Sequence, residues 1–160
     1  MKFEYLNNLN DTQKEAVCYL NGPLLIVAGA GSGKTRVITS KIAHIIKQKE
    51  AYPSQILAVT FTNKAASEML RRVNEILKKD AIDLSWVGTF HSISAKLLRR
   101  HAKAANLNSN FTIIDQDDQT RLIKNICKAE NIDFKKISPN FVLAIIDKWK
   151  NKGWYPSDVK

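Results

Sequence analysis

The stretch Leu24-Leu25-Ile26-Val27-Ala28-Gly29-Ala30-Gly31-Ser32-Gly33-Lys34-Thr35 constrains this chain more than any other. A continuous apolar run, Leu24 to Val27, is what a strand covered on both faces of a parallel sheet requires. It passes into Gly29, Gly31 and Gly33, which permit a tight turn whose successive amide N–H groups point inward. Lys34 and Thr35 then open a segment in which Val37, Ile38, Ile42, Ile45 and Ile46 recur at helical spacing. Strand, glycine loop and helix together make an anion-binding nest at a helix N-terminus. The lysine reaches β- and γ-phosphates and the threonine hydroxyl ligates Mg²⁺. The sequence therefore predicts a P-loop that binds a nucleoside triphosphate. The usual pattern, G-x-x-x-x-G-K-[ST], asks for glycine where this chain has Ala28, a mild departure because alanine is small and the following glycines are dense.

Length bounds the rest. A chain of 160 residues holds one α/β domain, or one domain with part of another, and 44% hydrophobic content argues against disorder. The longest apolar run is too short to span a membrane, and the polar start Met1-Lys2-Phe3-Glu4 is unlike a signal peptide. Cys18 and Cys127 lack metal-like spacing and read as buried thiols of a reduced cytoplasmic protein. With 25 basic against 15 acidic residues the net charge is +10, which in a phosphate-handling protein points to nucleic acid. The basic patches are Arg71-Arg72, Lys78-Lys79, Lys96, Arg99-Arg100 with His101, and Lys148 to Lys152.

Taken in order, Leu9-Asn10-Asp11-Thr12-Gln13 offers Asn10 as a helix cap, with Gln13 three residues on. Gln13 can close a capping box, or its carboxamide can read an adenine edge; both readings stand at this level. After the Tyr52-Pro53-Ser54 break, Ile56 to Phe61 reads as a second buried strand. Thr62 or Asn63 then caps a helix carrying Met69, Val73, Ile76 and Leu77. A third short strand, Ser85 to Gly88, runs into Thr89-Phe90-His91-Ser92 and a helix through His101. In a parallel βαβ layout both polar turns fall at the C-terminal strand ends, where ligands bind. Phe61 beside Thr62, Asn63 and Lys64 suits a stacked base and a backbone phosphate; the alternative makes Phe61 core and the rest capping. His91 alone reads more readily as a capping or packing histidine than as a contact residue; two such turns on one edge, each followed by a basic helix, weigh toward contact.

These motifs, namely Leu9-Asn10 with Gln13, Ala28 to Arg36, Thr60-Phe61-Thr62-Asn63-Lys64-Ala65-Ala66 with Glu68-Met69, and Gly88-Thr89-Phe90-His91, resemble the UvrD/Rep/PcrA family of superfamily 1 DNA helicases in residue, order and spacing. The resemblance covers essentially the whole chain, and Ala28 is itself typical of the family. It implies an α/β, RecA-like P-loop NTPase sheet with flanking helices, followed by the start of a helical subdomain. Residues 1–110 would be the first part of the ATP-binding domain 1A, and 111–160 the start of subdomain 1B. By the same resemblance Gln13 lies on adenine. Ala28, Gly29, Ala30, Gly31, Ser32, Gly33, Lys34 and Thr35 hold the phosphates, with Lys34 and Thr35 catalytic and Thr35 on Mg²⁺. Arg36 and Arg72 lie against the nucleotide. Phe61, Thr62, Asn63 and Lys64, with Thr89, Phe90 and His91, contact single-stranded DNA. The implied cofactors are ATP and Mg²⁺. The implied partners are single strands, duplex/single-strand junctions, and repair or replication proteins reached through other regions, with no membrane and a cytoplasmic location. The implied activity is ATP-driven 3′-to-5′ unwinding in repair or replication.

Phe111-Thr112-Ile113-Ile114-Asp115 adds a competing possibility, because apolar residues closing on an acid look like a Walker B strand. A small-substrate P-loop kinase or switch NTPase would use Asp115 there. Against it, Asp115-Gln116-Asp117-Asp118 can cap the next helix (Leu122, Ile123, Ile126, Cys127), and no glutamate follows Asp115 directly to activate water. In the helicase family the acidic box, the trans arginine finger and the second RecA-like domain lie further downstream than Lys160. A nucleic-acid-binding module without motor activity is a further alternative. Ser138-Pro139 opens a last helix and Gly153 ends it; Trp149 and Trp154 read as packing residues.

Overall fold

A computed structural model describes residues 3–78, 82–132 and 138–159. Met1, Lys2, Lys79 and Lys160 of the stretches named above lie outside the described residues. The chain divides into two compact units, Met1–Ser109 and Asn110–Lys160.

The first unit is α/β. It opens with a 3₁₀ turn, Glu4–Asn8, followed by α1 (Asp11–Cys18) and α2 (Lys34–Gln48). Then come β1 (Ala58–Thr60), α3 (Asn63–Leu77), β2 (Val87–Thr89) and α4 (Phe90–Arg100), with a closing 3₁₀ turn, Ala102–Ala105. β1 and β2 pair in parallel, with Ala58 opposite Val87, Val59 opposite Gly88 and Thr60 opposite Thr89. A parallel pair cannot be joined by a tight turn, and α3 supplies the crossover. The apolar spacing written into α2 and α3 buries Ile42, Met69 and Val73 with Ile56, Leu84 and Val87 in one cluster between these helices and the sheet. A smaller cluster, Leu9, Val17 and Val37, with Ile26 packed against it, holds α1 to the start of α2. α2 and α3 both end where a lysine adopts the left-handed conformation, Lys49 at φ 62° and Lys78 at φ 53°. There the terminal N–H turns back onto the last helical carbonyls.

The first apolar run departs from expectation. Leu24 to Val27 forms no strand, and among the described residues the sheet holds only β1 and β2. Leu25 is 86% and Val27 87% exposed, whereas Ile26 is packed inward. An apolar sequence supplies the surface a buried strand needs, but a strand exists only where a neighbouring backbone accepts its hydrogen bonds. No described segment does so here. The other two strands are shorter than the apolar runs that announced them. Ile56 is spent on the core after the 3₁₀ turn Pro53–Gln55, and pairing in the third run begins at Val87.

The second unit holds α5 (Gln116–Ala129), α6 (Pro139–Asn151) and a 3₁₀ turn, Pro156–Asp158. Phe111 to Ile114 is not a strand, and Ile113 and Ile114 are exposed. Asp115 is the N-cap of α5, its Oδ1 accepting from the Asp118 N–H at 2.8 Å. Ser138 caps α6 with Pro139 at its first position, and Gly153, at φ 70°, follows its end. Trp149 is half-buried, while Trp154 is exposed with the Lys152 ammonium 4.6 Å from its ring centre. Cys127 is buried but Cys18 is exposed, which corrects the expectation for that thiol: it is the last residue of α1, and of that helix only the neighbouring Val17 is buried. Among the described residues no helix is long and apolar enough to cross a membrane.

Candidate functional site

The glycine loop and α2 build the first element of the site. Gly31 (φ 77°) and Gly33 (φ 87°) both adopt the left-handed conformation, which lets the loop reverse directly into α2. Ser32 Oγ donates to the Gly29 carbonyl at 2.8 Å, closing the turn. Lys34 Nζ donates to the carbonyls of Ala28 (2.8 Å) and Gly29 (2.6 Å), so its charge lies directly over the loop. Ala28, Gly29, Ala30, Gly31, Ser32, Lys34 and Thr35 are all exposed.

The N-terminus of α2 stands apart from its neighbours. Side chains cap α1 (Asn10), α3 (Thr62), α4 (Thr89), α5 (Asp115) and α6 (Ser138). At α2 the capping position is Gly33, which has no side chain to offer. The leading amide N–H groups of that helix, with the positive end of its dipole, are therefore left to an external acceptor.

Gln13 serves the cap and the loop together. Its Oε1 accepts from the Asn10 N–H at 3.2 Å while Asn10 Oδ1 accepts from the Gln13 N–H at 2.9 Å, a complete capping box. Its Nε2 donates to the Ser32 carbonyl at 3.0 Å. One carboxamide thus pins α1 to the glycine loop. Gln13, Ala28, Ser32 and Lys34 share a cavity of about 480 Å³ with Leu24 and Ile26.

Arg36 and Arg72 meet elsewhere in the same unit. They line a second cavity of about 600 Å³ with Tyr5, Asn8 and Ser40. Arg36 Nη1 reaches the Asn8 carbonyl at 3.5 Å, and Arg72 Nε donates to Glu68 Oε1 at 2.6 Å. Glu68 also takes Arg71 on both oxygens, at 2.7 and 3.0 Å. Hydrogen bonds from Arg71 first, then Arg72, hold its carboxyl down at about 2. Glu68 appeared in the sequence as part of a motif with no role of its own. The signal was its spacing, three and four residues before two arginines on one helix face.

The two polar turns come together at one sheet edge. Thr60 and Thr89 are register partners at the strand ends, so the turns that follow β1 and β2 are neighbours. Thr62 Oγ1 accepts from the Ala65 N–H at 3.1 Å and Thr89 Oγ1 from the Ser92 N–H at 3.2 Å. Both hydroxyls are therefore spent as helix caps, and Thr89 is buried. Phe61 is 88% exposed, which removes the core reading, and its ring lies 5.6 Å from that of Phe90 at 45°. Asn63, Lys64 and His91 are exposed around this aromatic pair. Two exposed rings beside a cation and amide groups offer flat faces for unstacked bases and a charge for their backbone.

Comparison with known proteins matches residues 9–160 to the UvrD/REP helicase N-terminal domain. A probable DNA helicase II homolog of Rickettsia felis is 48% identical over 156 residues, 96% of this chain and 23% of that protein. The ATP-dependent DNA helicase PcrA of Staphylococcus aureus is 47% identical over 155 residues, 97% of this chain and 21% of that protein. The chain thus spans less than a quarter of the length of these relatives.

Proposed function

Because the chain belongs to the UvrD/REP helicase family through its N-terminal domain, we propose that it is the ATP- and single-strand-binding portion of a 3′-to-5′ DNA helicase. The observation that carries this is the uncapped N-terminus of α2 beneath the Gly31–Gly33 reversal, with Lys34 already over the loop. Five helices carry their own side-chain caps and this one does not, which fits an anionic ligand as its cap. Gln13 takes the adenine end and the loop from Ala28 to Thr35 takes the phosphates. Arg36 and Arg72 line the second cavity, and their place against the nucleotide rests on the family resemblance alone. Mg²⁺ fits the exposed Thr35 hydroxyl, a hard oxygen donor at the first turn of α2, and when bound it would screen charge on the β- and γ-phosphates. Phe61 to Lys64 with Phe90 and His91 hold a single strand, the rings stacking on bases and Lys64 meeting the backbone, while the buried Thr89 sets the turn by capping α4.

Residues 1–110 are read as the first part of a RecA-like domain 1A and 111–160 as the start of subdomain 1B. The whole protein would hydrolyse ATP, act at duplex/single-strand junctions in repair or replication in the cytoplasm, and meet protein partners through other regions. The kinase or switch reading needs Asp115 as a metal ligand. Its carboxylate is instead engaged in capping α5, which favours the helicase.

The test is calorimetric titration with Mg-ATP. Weak but measurable binding is expected, and Lys34→Ala should abolish it while leaving the circular dichroism spectrum unchanged. Equal affinity in the variant would remove the P-loop from the reading. Turnover that disappears in Asp115→Asn would overturn the choice between helicase and kinase.

A further inference from the structure

Charge is distributed unevenly along the sequence. The stretch from Leu84 to Ile114 contains no Asp or Glu, yet it carries Lys96, Arg99, Arg100 and Lys103. All four are exposed, on α4 and the 3₁₀ turn that follows it. Ser92, Lys96, Arg99 and Arg100 fall at i, i+4, i+7 and i+8, one face of α4, while Ile93 and Ala95 are buried. The contrast with α3 is instructive. There Arg71 and Arg72 are matched by Glu68 and Glu75, so most of the charge is neutralised locally. On α4, Lys96 Nζ donates to the Ser85 carbonyl at 2.8 Å, and the Arg100 guanidinium lies 5.0 Å from the centre of the Trp86 ring. A carbonyl and a ring orient these cations without cancelling them.

The position of this face gives the charge a use. α4 begins at Phe90, half of the exposed aromatic pair, and eleven residues extend about 16 Å from there. A polyanion seated at Phe61 and Phe90 therefore has a basic track leading away from it. Trp86 lies along that track with the Arg100 guanidinium against its ring, so the track presents cations rather than a bare indole face and addresses chiefly the backbone. We propose that the acid-free face of α4 carries the phosphate backbone of a single DNA strand onward from the Phe61–Phe90 turns, as a second contact surface indifferent to base identity. This rests on the reading of those turns as single-strand contacts, and it adds a length requirement to that reading.

The experiment measures binding of thymidylate oligomers of about four and about twelve nucleotides, which bracket single-strand site sizes, over a range of salt. The longer oligomer should bind more tightly and with the steeper salt dependence. The triple variant Lys96→Gln/Arg100→Gln/Lys103→Gln should flatten that dependence by about 2 log units per log unit of salt, since each single-strand phosphate contributes roughly 0.7. It should weaken the longer oligomer about tenfold and leave the shorter one unchanged. The charge-preserving variant Lys96→Arg/Arg100→Lys/Lys103→Arg should retain the binding. The longer oligomer alone should also change tryptophan emission, a signal lost in Trp86→Phe.

An unchanged salt slope in the triple variant, with Phe61→Ala still weakening both oligomers, overturns the α4 surface and leaves the turns in place. Loss of long-oligomer binding in the charge-preserving variant overturns it as well. Binding of both oligomers that is indifferent to Phe61→Ala removes the single-strand reading of the turns themselves. Blunt duplex that binds as tightly as the single strand, and does so in Phe61→Ala, makes the face a duplex site and refutes the continuation.

Discussion

Replacing Gly33 by alanine should damage this domain by two separable routes. Gly33 sits at φ 87°, where an alanine costs about 1–2 kcal/mol through the clash of Cβ with the following carbonyl. Its Cβ would also lie 2.8 Å from Gln13 Nε2. The carboxamide must swing away, giving up the 3.0 Å bond to the Ser32 carbonyl, a loss of roughly 1 kcal/mol. Gly31→Ala separates the two, because Gly31 is equally left-handed at φ 77° but has nothing within 4 Å of its would-be Cβ. Expected destabilisation is therefore about 2–3 kcal/mol for Gly33→Ala and about 1–2 kcal/mol for Gly31→Ala. Native-state hydrogen exchange at the Val17 and Val37 amides reads the local opening free energy of the cluster that α1 and α2 share. The difference between the variants should vanish in a Gln13→Ala background, since the contact is then absent from both. Equal effects at the two glycines, or a difference that persists without Gln13, would refute the reasoning.

Two further outcomes follow from single side chains. Asp115→Asn should leave α5 intact, because asparagine caps as well as aspartate, whereas Asp115→Ala should cost about 1 kcal/mol of local stability, read from exchange at the first turn of that helix. His44 is buried with its Nδ1 2.7 Å from Tyr5 Oη, and burial, then the nearby Lys41, holds its pKa below the ordinary 6.5. Folding thus favours the neutral ring. The associated stability is present above about pH 6.5 and is lost as pH falls below it, so the exchange protection of the Glu4–Asn8 turn, corrected for the intrinsic rate, should fall in mild acid, and His44→Gln should remove that pH dependence.

The sequence alone determined those features that depend on neighbours along the chain. Every helix with a Ser, Thr, Asn or Asp before its apolar run starts at that residue, because a cap is satisfied by amides two and three positions later. The left-handed glycines were legible for the same reason, since the backbone reversal between Ala28 and Lys34 is local. So was the order of the motifs that carry the family resemblance. What lies between distant segments was decided only in three dimensions. The run Leu24 to Val27 has the composition of a buried strand and yet leaves Leu25 and Val27 in solvent, because pairing needs a second backbone that no pattern within the run can specify. Gln13 illustrates both levels in one residue. Its capping box is written in the spacing from Asn10, while its bond to Ser32 joins positions nineteen apart and exists only because Val17 and Val37 pack together. Likewise two turns in separate motifs became one aromatic platform when the parallel register set Thr60 beside Thr89. Local hydrogen bonds and backbone sterics are encoded residue by residue, whereas a site assembled across a sheet edge is fixed by which surfaces the core brings together.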